Sequence, residues 1–394
     1  MLIGLCGKPS AGKSTFFKAA TLAEAEIANY PFTTIKPNRA VGYVKLPCAD
    51  KAFATQCTPR TGFCINHQRF VPVELLDVAG LIEGSYTGAG LGNQFLDDLR
   101  QADVLIHVLD VSGSVNEKGE PVPPLTYDPL KDVEFLEHEI NMWFYSILKK
   151  GWDKFIRTTK QEGETFFKAI AKQLSGVNVT EDIAKEVLKE FKETIHTWTE
   201  DDIKLFARKI REKTKPILIA ASKIDVPGAE KNLQRLKGTY PSYVIVPCSA
   251  LAELELRQKT KEGALNYVPG ESTFTLKTTL DEKELTILDY IRKQVLEHYH
   301  TTGVQDVLNA AVFDFLKYIA IFPGGLNNLK DSEGRILPDC YLMKEGTTAL
   351  DFAYKIHTDL GRGFVRAIDV KKRLTVGKEH LLKHGDVLEI ISTA

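Results

Sequence analysis

Lys13 and Ser14 close the run Gly7-Lys8-Pro9-Ser10-Ala11-Gly12-Lys13-Ser14, in which two glycines five positions apart precede a basic and a hydroxyl side chain. This spacing is that of a phosphate-binding loop. Gly7 and Gly12 let the backbone wrap a polyphosphate so that successive N–H groups point inward. Lys13 reaches the outer phosphates, and the Ser14 hydroxyl is placed for magnesium. The residues expected along the nucleotide are Lys8, Pro9, Ser10, Ala11, Gly12, Lys13, Ser14 and Thr15. Three further positions fit a sensor of a third phosphate. Thr34, with Thr33 in reserve, lies in the proline-rich loop NYPFTTIKPN and offers a hydroxyl to the metal. Asp77, ending the run VPVELLD, can hold the metal shell, and Gly80 can donate its N–H to the γ-phosphate. Lys13, Thr34 and Gly80 thus form the expected catalytic set, and Ser14, Thr34 and Asp77 the expected magnesium ligands.

The base should be read by Ser222-Lys223-Ile224-Asp225. The Asp225 carboxylate can accept from guanine's ring N–H and exocyclic amino group. Adenine lacks that donor pair, and a carboxylate left unpaired disfavours ATP. The stem of Lys223 would cover the base. A backbone amide at Cys248-Ser249-Ala250 would meet the guanine carbonyl, which makes Ser249 and Ala250 base contacts. GTP or GDP with Mg2+ is the implied ligand.

Such groups must sit at the ends of buried strands. Leu2–Cys6, strands near 40–45 and 71–77, Val104–Asp110, Pro216–Ala221 and Tyr243–Pro247 supply these, as a mostly parallel α/β sheet. His107, inside one of them, reads as a satisfied core histidine. Between the halves, residues 128–214 read as a helical insertion, with Val133, Leu136, Ile140, Trp143, Phe144 and Ile147 on one face. Shorter helices are expected at 164–175 and 181–195, and a capping box at Thr199 and Asp202 opens a last one. Lys149, Lys150, Lys185 and Lys189 read first as a solvated face and second as a partner-binding arm. A further capping box is read at Thr279–Glu282, and a helix from Val304 to about Ile319. The last sixty residues form a compact α+β unit, in which Thr348 and Asp351 cap a helix. His357 and Lys371-Lys372-Arg373 there could touch phosphate or RNA, with a solvated surface as the plainer reading. The expected domains are 1–127 with 215–330, the insertion 128–214, and 331–394.

With 394 residues, more than one core is needed. A net charge of −1 gives no general pull toward nucleic acid, so any RNA contact must come from local patches. No apolar run is long enough to span a membrane. The six cysteines form no disulfide framework, which fits a reducing cytoplasm. Cys48, Cys57, Cys64 and His67 share one irregular insert. Cys64-Ile65-Asn66-His67 is a plausible half-site for zinc, but the other spacings are long and irregular for it, and buried or free thiols are the plainer reading.

GKPSAGKS, NYPFTTIKPN, DVAGLIEGSYTGAGLGNQFL and SKID together resemble the Obg-like GTPases of the translation-factor class. The insertion and the segment IHTDLGRGF narrow the resemblance to the YchF-related branch, most like its archaeal members. It implies a P-loop GTPase domain with a helical insertion and a C-terminal β-grasp (ubiquitin-like) TGS domain. It also implies a monomeric nucleotide switch acting with ribosomes or other RNA-protein assemblies, without a membrane. In that pattern Lys13 and Ser14 serve phosphate and magnesium, while Thr34, Asp77 and Gly80 report the γ-phosphate. Leu81, where better-known GTPases carry a water-orienting glutamine, is a family trait and predicts slow intrinsic hydrolysis. Ser10 replaces an asparagine associated with potassium stimulation. Ser222 replaces the usual asparagine of the base motif, which weakens its tie to the phosphate loop. Some relatives lack the motif's Asp and prefer ATP, whereas this chain keeps Asp225 and is expected to prefer GTP. An ATP-preferring NTPase and an interaction scaffold with nucleotide as a structural ligand are the alternatives. A small-molecule kinase lacks an obvious acceptor lid.

Overall fold

The computed structural model describes residues 1–21, 38–78, 92–153, 155–157, 166–191 and 195–393. Thr34, Gly80 and Leu81 lie outside them. The strands are β1 (Leu2–Cys6), β2 (Arg39–Pro47), β3 (Phe63–Ile65), β4 (Gln68–Asp77), β5 (Val104–Asp110), β6 (Ile217–Ser222) and β7 (Ile245–Pro247). They form one seven-stranded sheet in the order β2-β4-β1-β5-β6-β7, with β3 paired to β4. β4, β1, β5, β6 and β7 run parallel, whereas β2 and β3 are antiparallel to β4. Every residue of β1, β5 and β6 is buried, as near-continuous apolar runs covered on both faces require. The register sets Leu5 beside Asp77 and Cys6 beside His107, so the carboxyl ends of β1, β4 and β5 open on one rim. Ligands of open α/β sheets bind at that rim.

One face of the sheet is covered by helices Lys13–Thr21, Ala250–Lys261 and Val304–Asn309. Phe16, Ala19 and Leu308 share a core there with Val44, Val73 and Ile106. The other face carries the insertion. Helix Leu130–Lys149 buries Val133, Leu136, Ile140, Trp143 and Phe144 along the expected stripe. Trp143 and Phe144 share a core with Leu2, Leu105 and Phe206 of helix Glu200–Thr214. The insertion is therefore part of the domain's packing and not an arm standing off it. Lys149, Lys150 and Lys189 are exposed, as a solvated face requires, while Lys185 lies 4.4 Å from the centroid of the Phe167 ring.

A short antiparallel pair, β8 (Leu265–Tyr267) and β9 (Phe274–Leu276), follows. The C-terminal sheet comprises β10 (Tyr318–Pro323), β11 (Tyr341–Lys344), β12 (Phe364–Asp369), β13 (Leu374–Val376) and β14 (Val387–Ser392), in the order β11-β10-β14-β12-β13. One sequence expectation shifts here. The helix from Val304 gives way after Phe315, not near Ile319, and the next residues form β10. Lys317 takes a left-handed φ of 53°, which breaks the helix and turns Tyr318 into the strand. The sheet therefore takes in residues from 318, ahead of the boundary at 331. Among the described residues no helix is long and apolar enough to cross a membrane.

Candidate nucleotide site

The phosphate loop bridges β1 and helix Lys13–Thr21. Gly7 has φ 153°, and a Cβ there would come within 2.4 Å of the Val108 carbonyl oxygen. Gly12 has φ 102°, and its missing Cβ would lie 2.9 Å from Ser222 Oγ. Gly7 is thus required by close approach to backbone as well as by conformation, and Gly12 by its conformation. The second approach matters for the base loop, because Ser222 still abuts the phosphate loop despite its short side chain. Pro9, Ser10 and Ser14 are exposed on the rim, with Ser10 at a left-handed φ of 62°, while Ala11 is buried. Thr15 is half-buried one position further along the helix.

Lys13 forms an ion pair with the Asp77 carboxylate at the end of β4. The expected phosphate-binding cation and the expected metal-shell carboxylate are therefore neighbours. Lys8, also expected along the nucleotide, turns its side chain inward. Its ammonium lies 2.8 Å from Asp132 Oδ2, donates to the Val115 carbonyl at 2.7 Å and sits 3.8 Å from the centroid of the Tyr127 ring. Only the backbone of Lys8 is left to face a phosphate.

On the base side, Lys223 has φ 60° and donates to Asp110 Oδ2 at 3.0 Å and Ser114 Oγ at 3.2 Å. Asp225 is half-buried, and its carbonyl accepts from the Tyr290 hydroxyl at 2.7 Å. Ser249 caps helix Ala250–Lys261 by accepting from the Ala252 N–H at 3.3 Å, and its own N–H donates to the Thr302 carbonyl at 2.8 Å. That leaves the amide of Ala250 as the better placed of the two for a base carbonyl. Asp225, Ser249, Leu251, Ala252, Tyr290 and Ile291 line a cavity of about 330 Å³.

Over its full length the chain is 46% identical to an uncharacterized GTP-binding protein of Methanocaldococcus jannaschii, covering 99% of that protein. The chain belongs to the Obg-like/YchF family of GTPases. Its parts match in order. Residues 2–131 match the family described as 50S ribosome-binding GTPase, 220–324 the G4 motif-containing domain of Obg-like GTPase YGR210-like proteins, and 331–392 the TGS domain. A crystal structure of a GTP binding protein from Pyrococcus horikoshii is 37% identical and superposes with a TM-score of 0.78, covering 100% of both chains. The Bacillus subtilis ribosome-binding ATPase YchF is 27% identical over 98% of this chain and 97% of its own length.

Within this Obg-like chain, Asp110 is a site residue that sequence reading passed over as a strand end. It is fully buried and accepts from the Ser112 N–H at 3.0 Å and hydroxyl at 2.5 Å, from the Ser114 hydroxyl at 2.9 Å, and from Lys223. Asp110 thereby anchors the base-loop lysine to β5. The available signal was an aspartate followed by serines at two and four positions, the pattern of a local Asp–Ser turn. Tyr290 carried no such signal.

His107 is in the core, as read, but its Nδ1 has no hydrogen-bond partner. Burial, and after it the charge of Lys8, pulls its pKa from 6.5 down to about 3. Between those values the unfolded chain holds a proton that the native chain does not, so acidification costs stability, by at most about 1.4 kcal/mol per pH unit. His107→Leu is expected to flatten the pH dependence of urea unfolding between about pH 6 and 4, whatever its stability at pH 7. An unchanged slope would show that His107 does not set it.

Proposed function

We propose that this protein is a magnesium-dependent switch that binds and slowly hydrolyses GTP and engages a ribosome or a related RNA-protein assembly according to the nucleotide it holds. The observation that carries this reading is the convergence of Lys13, Asp77, and Lys223 with Asp225, from three separate segments, on one rim of the sheet. Ser14, Asp77 and Thr34 supply only oxygen donors, the set that a hard divalent cation takes, and magnesium held there would neutralise charge on the phosphates. Lys13 exchanges its Asp77 partner for the β- and γ-phosphates, which releases the carboxylate for the metal shell. Gly80 donates its N–H to the γ-phosphate, and Lys13 stabilises the charge that develops as water attacks in line. Leu81 has no group to orient that water, so hydrolysis is slow without a partner.

Asp225 supports guanine, since a half-buried carboxylate is left without its two donors when adenine is bound. The ATP reading rests on the relative from Bacillus subtilis, which is named an ATPase. The ribosomal reading rests on the same name and on the ribosome-binding description of the matched nucleotide domain. Calorimetric titration of nucleotide-free protein with GTP, GDP and ATP in magnesium tests the base. GTP and GDP are expected to bind at least about 100-fold more tightly than ATP. Equal affinities would overturn the guanine assignment. Cosedimentation with ribosomes that is the same in GTP, in GDP and without nucleotide would favour a scaffold over a switch.

A further inference from the structure

The insert between β2 and β4 folds three cysteines onto one point. Cys48 directly follows β2, Cys57 follows a short turn of 3-10 helix, and Cys64 lies in β3. A two-residue hairpin at Asn66 and His67, both at left-handed φ, returns the chain into β4, and the Cys48 N–H donates to the His67 carbonyl at 2.8 Å. One ligand atom each from Cys48, Asp50, Cys57 and Cys64 lies within 4.8 Å of every other. We propose that Cys48, Cys57, Cys64 and Asp50 form a structural zinc site that clamps the nucleotide domain to the C-terminal sheet.

Distances, burial and charge each support the site. Cys48 Sγ and Cys57 Sγ are 3.5 Å apart. A disulfide needs about 2.05 Å, whereas two thiolates on one tetrahedral zinc, each about 2.3 Å from it, stand roughly 3.8 Å apart. Asp50 is fully buried, and its carboxylate is held on both oxygens. Oδ2 accepts from the Cys57 N–H at 2.8 Å, and Oδ1 pairs with His67 Nδ1 at 2.9 Å. His67 thus serves as the outer partner that orients a ligand, as second-shell groups do at metal sites.

The buried cation beside the cluster is the independent observation. Arg69 is fully buried, and its terminal guanidinium N–H groups reach Cys57 Sγ at 3.5 Å, the Leu337 carbonyl at 3.2 Å and the Pro338 carbonyl at 2.7 Å. Among the described residues it forms no ion pair with a carboxylate. A buried guanidinium without a counter-charge is costly. Three thiolates and a carboxylate outweigh the two charges of zinc, so the loaded cluster is an anion in contact with Arg69. The same stretch of chain carries the domain joint. Thr58 N–H donates to the Ile336 carbonyl at 2.9 Å, Arg60 N–H donates to the Pro338 carbonyl at 2.9 Å, and the Arg60 guanidinium pairs with Asp331 at 3.1 Å.

The full chain, purified under reducing conditions, is expected to hold about one zinc per molecule by elemental analysis. After removal of the metal, titration with cobalt(II) alone is expected to give tetrahedral d–d bands and thiolate-to-cobalt charge transfer. Cys57→Ser should reduce the charge-transfer intensity. His67→Ala, which keeps all four ligands, should weaken zinc about 10–100-fold with unchanged circular dichroism. Segment 326–340 should be cut faster by protease in the metal-free protein than after zinc is restored, and equal rates would overturn the clamp. A weak six-coordinate cobalt spectrum, or a Cys48–Cys57 disulfide in the reduced preparation, would overturn the zinc site itself.

Discussion

Lys13→Ala is expected to weaken GTP binding by about 10²–10³-fold, a loss of about 3–4 kcal/mol, and to take hydrolysis with it. The ammonium stands at the first position of its helix, with most of the side chain out of water, beside the carboxylate that we assign to the metal shell. Its removal takes away the point charge facing the outer phosphates and leaves only backbone N–H groups and the helix end, which are weaker. Native stability without nucleotide should fall much less, by roughly 1 kcal/mol or under, because the Lys13–Asp77 pair is partly solvated. Calorimetry and phosphate release measure the first effect, and urea unfolding measures the second. Lys13→Arg should rescue little, since a planar fork does not replace a compact ammonium. Binding retained to within threefold in Lys13→Ala would remove Lys13 from the phosphate site.

Asp225→Asn is expected to invert base preference. A carboxylate accepts from both guanine donors. An asparagine presents one acceptor and one donor, so its NH2 would face guanine's amino group, losing one hydrogen bond and opposing two donors. Xanthine carries a carbonyl at that position and restores the pairing. GTP should therefore weaken by about 10²–10⁴-fold, and XTP should become the tighter ligand. The contact from Tyr290 goes to the Asp225 backbone carbonyl, so the substitution leaves the loop's anchor in place. A variant that still prefers GTP to XTP would show that Asp225 does not read the base.

The parts of this protein that were legible in its sequence are those whose physics is local. The phosphate loop depends on a few φ angles and a helix start, and both required glycines stand where the spacing put them. The capping boxes at Thr199 with Asp202 and at Thr348 with Asp351 form as read. At 279–284 two such frames overlap. The sequence reading took Thr279–Glu282, but the helix is capped by Asp281 with Glu284. Either frame satisfies first-turn N–H groups, so the local pattern alone does not choose between them, and the structure takes the later one.

What lay beyond the sequence was decided by convergence. Apolar composition could not tell whether Tyr318–Pro323 prolonged a helix or began a strand, because the answer depended on partners at 341–344 and 387–392. Asp110 became a site residue only when the β5–β6 register brought Lys223 to it. Cysteines at irregular intervals became a cluster because β2, β3 and β4 fold back on one another. The sequence alone determined the tight glycine loop Gly7–Ser14 between a strand and a helix start, since that geometry is built from neighbouring residues. Only the tertiary structure decided which distant carboxylate, hydroxyl, guanidinium and thiol groups stand together, since sheet register and domain docking place them.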